Sequence, residues 1–502
     1  MPKKFFSTVQ IKNKLENEIQ ACILIFENMD PEDPNLLVRT KANRELLFSF
    51  TQEDGYSNLK AIIKKTVKLY LERMANQIQT LEQLEDGSQL QDDAQYAELP
   101  ECFIQIPSVN DILQMKSMPA GADEDQQQRL MNMVKILENQ HSTTPVLSTD
   151  GKILPDYWQA LFAAISMGDR KAAFTLFDQF PAEDTTLKAL LAVHPQGYLK
   201  ELITYSTQAL KTGLTQLSSD IIITPKTFEV LIKDIATTLY NPAKICFSFG
   251  LPTHHAYNDM ASGFCLINKT AVLMRYWESI HSEPLNYVIV GTDVNRDNGL
   301  CQILRQTASH LPVCHIDVFD SRVYPKQDFS DISYEFKTLG TDKGRGIRCW
   351  KKDNLEYFAF DLSKSTRKKV GLHPALDFAL HKIREQLEES QFRGQKMVLL
   401  LPTGWDSHED ETAYCGKYIN GRKMSQTEAH KTRFNDGDLT FFYQQLCALY
   451  NENKEDIAGI YWGLEGGYDR TMYERQIQLM LKTINTSLLP EESSAPSQRI
   501  HF

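Results

Sequence analysis

Five short runs of apolar, strand-favouring residues mark the second half of this chain, at 245–249, 287–290, 313–318, 397–401 and 457–462. Several are nearly unbroken by polar residues, as in Tyr287-Val-Ile-Val290 and Met397-Val-Leu-Leu-Leu401. A strand with one wet face alternates apolar and polar side chains, whereas a continuously apolar strand has to be buried on both faces. Between the runs lie stretches of helical length with apolar positions three and four apart, at 270–280, 298–310, 375–389 and 438–450. Strands covered on both faces by the helices that connect them make a parallel sheet in a three-layer α/β/α domain. This texture extends from about residue 129 to residue 490.

The reactive residues stand where such a sheet holds its ligands, beyond the carboxyl ends of the strands. The first run leads into Leu251-Pro-Thr-His254-His255-Ala256 and the second into Asp293-Val-Asn295. The fourth leads into Gly404-Trp-Asp406 and the fifth into Leu464-Glu-Gly-Gly-Tyr468. Taken singly, an aspartate at a strand end is more often a turn former and a tyrosine more often a core aromatic. Their common position on one sheet edge favours a shared site. Hydrolysing an amide near neutral pH needs a nucleophilic water, a polarised carbonyl and a proton for the leaving amine. A metal ion with three protein ligands and an open position supplies the first two. A histidine carries protons, and a tyrosine hydroxyl can hold the oxyanion. His254 and His255 suit the proton work, Asp293 and Asp406 suit metal ligation, and Tyr468 suits the oxyanion.

The first 128 residues read differently. Apolar spacing at 11–29 and 59–84 predicts helices, separated by Pro31, Pro34, Gly55 and Gly87, with polar stretches at 82–98 and 119–128. The expected organisation is an all-helical accessory module over 1–128, the α/β domain over 129–490, and a loose tail over 491–502. With 65 acidic against 54 basic residues and a net charge of −11, the chain lacks the basic footprint of a general nucleic-acid binder. Nine cysteines with no Cys-x-x-Cys spacing predict buried reduced thiols rather than disulfides or a structural zinc site. No run approaches the roughly 18 apolar residues of a membrane span, and the N-terminus has no signal-peptide pattern. The expectation is a soluble intracellular protein, cytoplasmic or nuclear, whose helical module is open to a protein partner.

The segments, in this order, resemble the zinc-dependent histone deacetylases and acetylpolyamine amidohydrolases. The resemblance rests on His254-His255-Ala with Ser262-Gly263-Phe264-Cys265, on the Asp293 segment, on Gly-Trp-Asp406 and on Leu-Glu-Gly-Gly-Tyr468. It also takes in Leu190-Leu-Ala-Val-His194-Pro-Gln-Gly-Tyr198, and Asp220 followed by Thr224-Pro225. It covers about residues 140 to 490 and implies a parallel sheet of deacetylase type. It further implies acid/base roles for His254 and His255, metal ligation by Asp293, the residue at 295 and Asp406, and carbonyl polarisation by Tyr468. Gly263, Phe264 and Tyr324 would line an acyl-lysine tunnel, and Asp220 would accept hydrogen bonds at its rim. Zinc as cofactor, and an acylated lysine or acetylated polyamine as substrate, follow from the same resemblance.

Two positions depart from the family's metal segment, Asp-x-Asp-x-His-His-Gly-(Asp/Asn)-Gly, which here reads Gly291-Thr-Asp293-Val-Asn295-Arg296-Asp297-Asn298-Gly299. Asn295 replaces an imidazole ligand, and an amide oxygen is a poorer partner for zinc. A site of carboxylates plus an amide shifts preference toward divalent ions that accept oxygen ligands. Gly291 replaces the carboxylate that orients the first histidine, support whose loss typically costs about 10–100-fold in metal affinity or activity. His408 and Asp297 are nearby donors, neither expected to stand in for the missing imidazole. Two readings follow: a metal-dependent deacylase with weakly bound zinc or another divalent ion, and a pseudo-deacetylase that binds acyl-lysine or protein partners without turnover.

Overall fold

The structure is a computed structural model that describes residues 35–39, 45–49, 102–114, 126–139, 144, 146–149, 153–218, 221–241, 244–307, 311–325, 337–342, 346–365, 367, 371–419 and 421–488. Two compact units divide the chain, Met1–Glu98 and Leu99–Phe502. In the first, Asn35–Arg39 and Glu45–Ser49 pair as an antiparallel hairpin. The helices expected at 11–29 and 59–84, and the tail at 491–502, lie outside the described residues.

The second unit is built on a ten-stranded sheet. Its spatial order is Lys337–Asp342, Ile347–Lys352, Leu355–Asp361, Val313–Phe319, Leu285–Gly291, Lys396–Thr403, Ile457–Leu464, Ile245–Ser248, Cys102–Pro107 and Val146–Thr149. Every pairing from Leu355–Asp361 onward is parallel, and the two strands at the other edge join antiparallel. The five runs read from the sequence are five of these strands. They are largely apolar because successive side chains feed opposite faces of the sheet, both of them buried. Tyr287 and Ile289 enter one buried cluster, while Val288 and Val290 enter the other. Lys269–Ile280 and Thr227–Tyr240 cover the first face; Pro374–Arg393, Asp436–Glu452 and Arg470–Ser487 cover the second. The three-layer expectation is met.

The unit begins ahead of the boundary expected at 128/129. Cys102–Pro107 pairs between Ile245–Ser248 and Val146–Thr149, with Phe103 in one core cluster and Ile104 in the other. This strand is six residues long and wholly buried. It is flanked by polar stretches, so it gives no alternation from which to place it.

Topology fixes the site. The chain leaves Ile245–Ser248 and next enters the sheet at Leu285–Gly291, skipping the two positions later filled by Lys396–Thr403 and Ile457–Leu464. The connections leaving the earlier pair run to helices on one face, and those leaving the later pair run to helices on the other. Loops that part in opposite directions open a crevice at the strand ends, the usual ligand position in such sheets.

Candidate active site

Four strand-end loops meet in that crevice. His254 follows Ile245–Ser248, Asp293 follows Leu285–Gly291, Asp406 follows Lys396–Thr403, and Tyr468 follows Ile457–Leu464. All four side chains are buried. The loops are tied to one another by the reactive groups themselves. Asp293 Oδ2 accepts from the Gly466 amide at 2.8 Å, and Asp406 Oδ1 accepts from the Val294 amide at 3.0 Å. A side chain at Gly466 would collide with both carboxylates, so this glycine lets the backbone close onto them. Gly467, in the left-handed region at φ 112°, then turns the chain toward Tyr468.

The two histidines lie side by side, ring centroids 3.9 Å apart, and their partners define their tautomers. His255 Nδ1 is 2.5 Å from Asn298 Oδ1, while the Asn298 amide nitrogen donates to Tyr257 Oη. An amide oxygen only accepts, so His255 carries its proton on Nδ1 and presents a bare Nε2. Burial, with His254 alongside, holds its pKa well below the ordinary histidine value. His254 Nδ1 donates to Asp297 Oδ1 at 2.8 Å. Burial opposes its protonation, but Asp293, Asp297 and Glu465 outweigh that and raise its pKa to about 10.

The loss of an orienting carboxylate, expected from Gly291, does not occur. Asp297 takes that place from the other end of the same segment. A side chain at 291 would collide with the Asp297 carboxylate, so the glycine and the aspartate are complementary. Asp297 Oδ2 also meets His315 Nε2 at 3.0 Å. Burial favours the neutral acid, yet the bonds to His254 and His315 hold Asp297 down at about 2. Asp317 lies beyond it, held by the Tyr357 hydroxyl at 2.6 Å and by buried Arg296. Burial and the Asp297 charge push Asp317 up, to about 7.

The donor set fits a divalent cation. Burial and the nearness of Asp293 push the Asp406 carboxyl well above its usual range. Two buried carboxylates crowded against one glycine call for a proton or a cation between them. Asn295 is buried beside them, its amide nitrogen donating to the Tyr324 carbonyl at 2.8 Å. That leaves the amide oxygen as the atom able to serve a cation. His408 turns elsewhere: its Nδ1 accepts from the Asp410 amide at 3.1 Å and its Nε2 lies 3.2 Å from Asp436.

The residues expected to line a tunnel lie against His255 and Tyr468. Gly263, at φ 48°, packs so closely on the His255 ring that a side chain there would strike it. Tyr324 stands edge-on to His255 at 5.1 Å, its hydroxyl 2.6 Å from Ser262 Oγ and its side chain partly exposed. Phe264 meets Tyr468 edge to face at 6.4 Å. Asp220 lies outside the described residues.

Sequence reasoning missed several supports. Glu465 accepts from the Thr253 hydroxyl and from the Thr253 and His254 amides, tying the histidine loop to the tyrosine loop. Its place directly after an apolar strand was the available signal. Glu411 accepts the Tyr468 amide at 2.7 Å, and Gln126 and Arg129 reach Tyr468 from the helix Gln126–Asn139, which straddles the boundary expected at 128/129. Nothing in the local pattern marks those three.

The Histone deacetylase domain family model matches residues 158–484. Among solved structures, the chain is similar to the acetylpolyamine aminohydrolase from Burkholderia pseudomallei at 13% identity, covering 76% of this chain and 99% of that one with a TM-score of 0.45. It is also similar to the HDA15 HD domain at 15% identity, covering 76% and 89% with a TM-score of 0.41. The family match takes in well over half of the sequence, including every strand-end residue of the crevice, and this chain belongs to the histone deacetylase family.

Proposed function

We propose that this protein is a metal-dependent amidohydrolase that removes an acetyl or related acyl group from a lysine side chain or a polyamine. The observation that carries the reading is the Asp297–His254 bond at 2.8 Å. It restores, by a different residue, the carboxylate support that Gly291 lacks. A divalent ion held by Asp293, Asp406 and the Asn295 oxygen would supply Lewis acidity to the water and the scissile carbonyl. Two carboxylates and an amide make an oxygen-only set, which admits zinc weakly and favours harder divalent ions.

The chain's own residues supply the rest. His255, neutral and bare at Nε2, is the base that accepts the water's proton and returns one to the departing amine. His254, oriented by Asp297 through Nδ1, stands beside the reacting groups as a second proton carrier. Tyr468 donates its hydroxyl proton to the carbonyl oxygen as negative charge develops there. Phe264, Gly263 and Tyr324, packed against His255 and Tyr468, would flank an extended acylated amine.

The test is metal content by elemental analysis together with hydrolysis of acetyl-lysine peptides and acetylated polyamines across divalent ions. Tyr468→Phe is expected to lower kcat by about 10²–10³-fold, the usual loss for one oxyanion donor, with metal content unchanged. Undiminished turnover in that variant would remove Tyr468 from the reaction. A second reading, acyl-lysine or protein binding without turnover, is favoured by Asn295 alone. Binding of acetyl-lysine peptide with no metal and no hydrolysis under any ion would establish it in place of the first.

A further inference from the structure

The helix Gln126–Asn139 lies ahead of the family match, yet two of its side chains end on Tyr468. Gln126 Nε2 is 3.3 Å from the Tyr468 hydroxyl, and Gln126 Oε1 is 3.0 Å from Arg129 Nη1. The Arg129 guanidinium also lies over the Tyr468 ring, 4.9 Å from its centroid. Its Nη2 donates to the carbonyls of Glu465 at 2.6 Å and Gly466 at 3.2 Å, the turn that carries the tyrosine. Gln126 is 1% exposed and Arg129 3%.

Chemistry gives this chain of contacts a direction. A guanidinium has donors only, so the Gln126 group facing Arg129 is the accepting oxygen. The amide nitrogen then faces Tyr468 and donates, and the tyrosine oxygen accepts. The tyrosine's own proton is therefore directed away from Gln126 and is the one it gives. Each bond in such a run polarises the next, and a full positive charge stands at its head. Packing alone does not explain the arrangement, because burying an arginine and an amide is costlier than burying a leucine of similar size.

We propose that Gln126 and Arg129 are positioning residues that orient and polarise the Tyr468 hydroxyl as a donor, so that a helix outside the matched domain sets the strength of the site's oxyanion group. This rests on the function proposed above only for its effect on turnover; the state of the Tyr468 hydroxyl is measurable without it.

The experiment places 3-fluorotyrosine at position 468 of the full chain and records its ¹⁹F resonance, alongside kcat and KM on an acetyl-lysine peptide. The variants are Gln126→Glu, which keeps size but reverses the polarity toward Tyr468, Gln126→Leu, Arg129→Met and Arg129→Lys. Gln126→Glu, Gln126→Leu and Arg129→Met are each expected to move the resonance and to lower kcat about tenfold with KM nearly unchanged, while Arg129→Lys retains more of both. A merely structural role would leave Gln126→Glu like the parent. A resonance unmoved in Gln126→Glu and Arg129→Met, in proteins whose circular dichroism and melting midpoint match the parent, overturns the proposal. So does a moved resonance with kcat unchanged in an active parent. If the parent hydrolyses nothing under any metal, the function proposed above fails, and the resonance shifts alone still decide whether Gln126 and Arg129 control the hydroxyl.

Discussion

At the scale of single residues, the site is a case of one carboxylate moved along its own segment. Gly291 and Asn295 both stood out in the sequence as losses, because a strand-end motif is read position by position. The compensation by Asp297 was invisible there, since which way a side chain two residues past Asn295 turns depends on what space is empty behind it. Gly291 provides that space, and Asp297 fills it against His254 and His315. Removing Asp297 alone, as Asp297→Gly, is expected to cost about 10–100-fold in metal affinity or kcat/KM, the usual price of an orienting partner. Gly291→Asp alone should also be harmful, because two carboxylates would compete for one buried volume. The double variant Gly291→Asp with Asp297→Gly should recover most of the loss. Metal titration and kcat/KM of the three proteins measure the coupling, and a double variant as poor as the sum of its parts would show that Asp297 does not act by replacing a group at 291.

At the scale of elements, the central strands were legible and the flanking ones were not. Strands 285–291, 396–403 and 457–464 have neighbours on both sides and helices on both faces, so nearly every side chain is apolar. Ile347–Lys352 sits second from an edge with mixed burial, and its Lys351 reaches out to Glu356 at 2.8 Å. Cys102–Pro107 hides a polar residue in its middle. Gln105 donates to both the carboxylate and the carbonyl of Asp234 at 2.6 Å, and accepts from Thr238 at 2.9 Å. That network satisfies a buried amide, but it makes the strand read as loop. Its position inside the sheet gives a direct prediction. A chain starting at residue 99 should fold with a cooperative melt. One starting at 129 should lose Cys102–Pro107, expose the edge of Ile245–Ser248, and fail to give a cooperative transition or should aggregate. Calorimetry and size-exclusion chromatography of the two truncations distinguish these outcomes; a cooperative melt from the 129 start would mean that the strand is dispensable.

At the scale of the whole molecule, two buried neutral histidines make stability depend on acid. His194 donates from Nδ1 to the Asn258 carbonyl at 2.8 Å and accepts at Nε2 from the Asn268 amide at 3.0 Å. Burial lowers its pKa to about 4. His373 caps the helix Pro374–Arg393 by accepting the Ala375 amide at Nδ1, and burial with Arg367 and Arg433 nearby lowers its pKa to about 3. Both values lie below the histidine reference near 6.5. The unfolded chain therefore binds two protons that the folded chain refuses once pH falls under that reference. The stability they contribute is complete above about pH 6.5 and is lost as pH falls toward 4 and then 3, at about 1.4 kcal/mol per pH unit for each histidine. The loss reaches the crevice, because Asn268 also donates to the carbonyls of His254 and Ala256. All five tryptophans lie beyond residue 99, so their fluorescence in a urea titration follows the unit that carries the site. Between pH 6.5 and 5, before most carboxylates titrate, His194 and His373 should each add about one proton to the pH slope of the unfolding free energy, alongside the mutually opposing contributions of His255 and Asp317. His194→Gln offers an amide donor and an amide acceptor in place of Nδ1 and Nε2 but cannot take a proton, so its slope should differ from the parent's by one proton, with less stability lost toward acid. An unchanged slope in that variant would mean that His194 is not the group that acid protonates on unfolding.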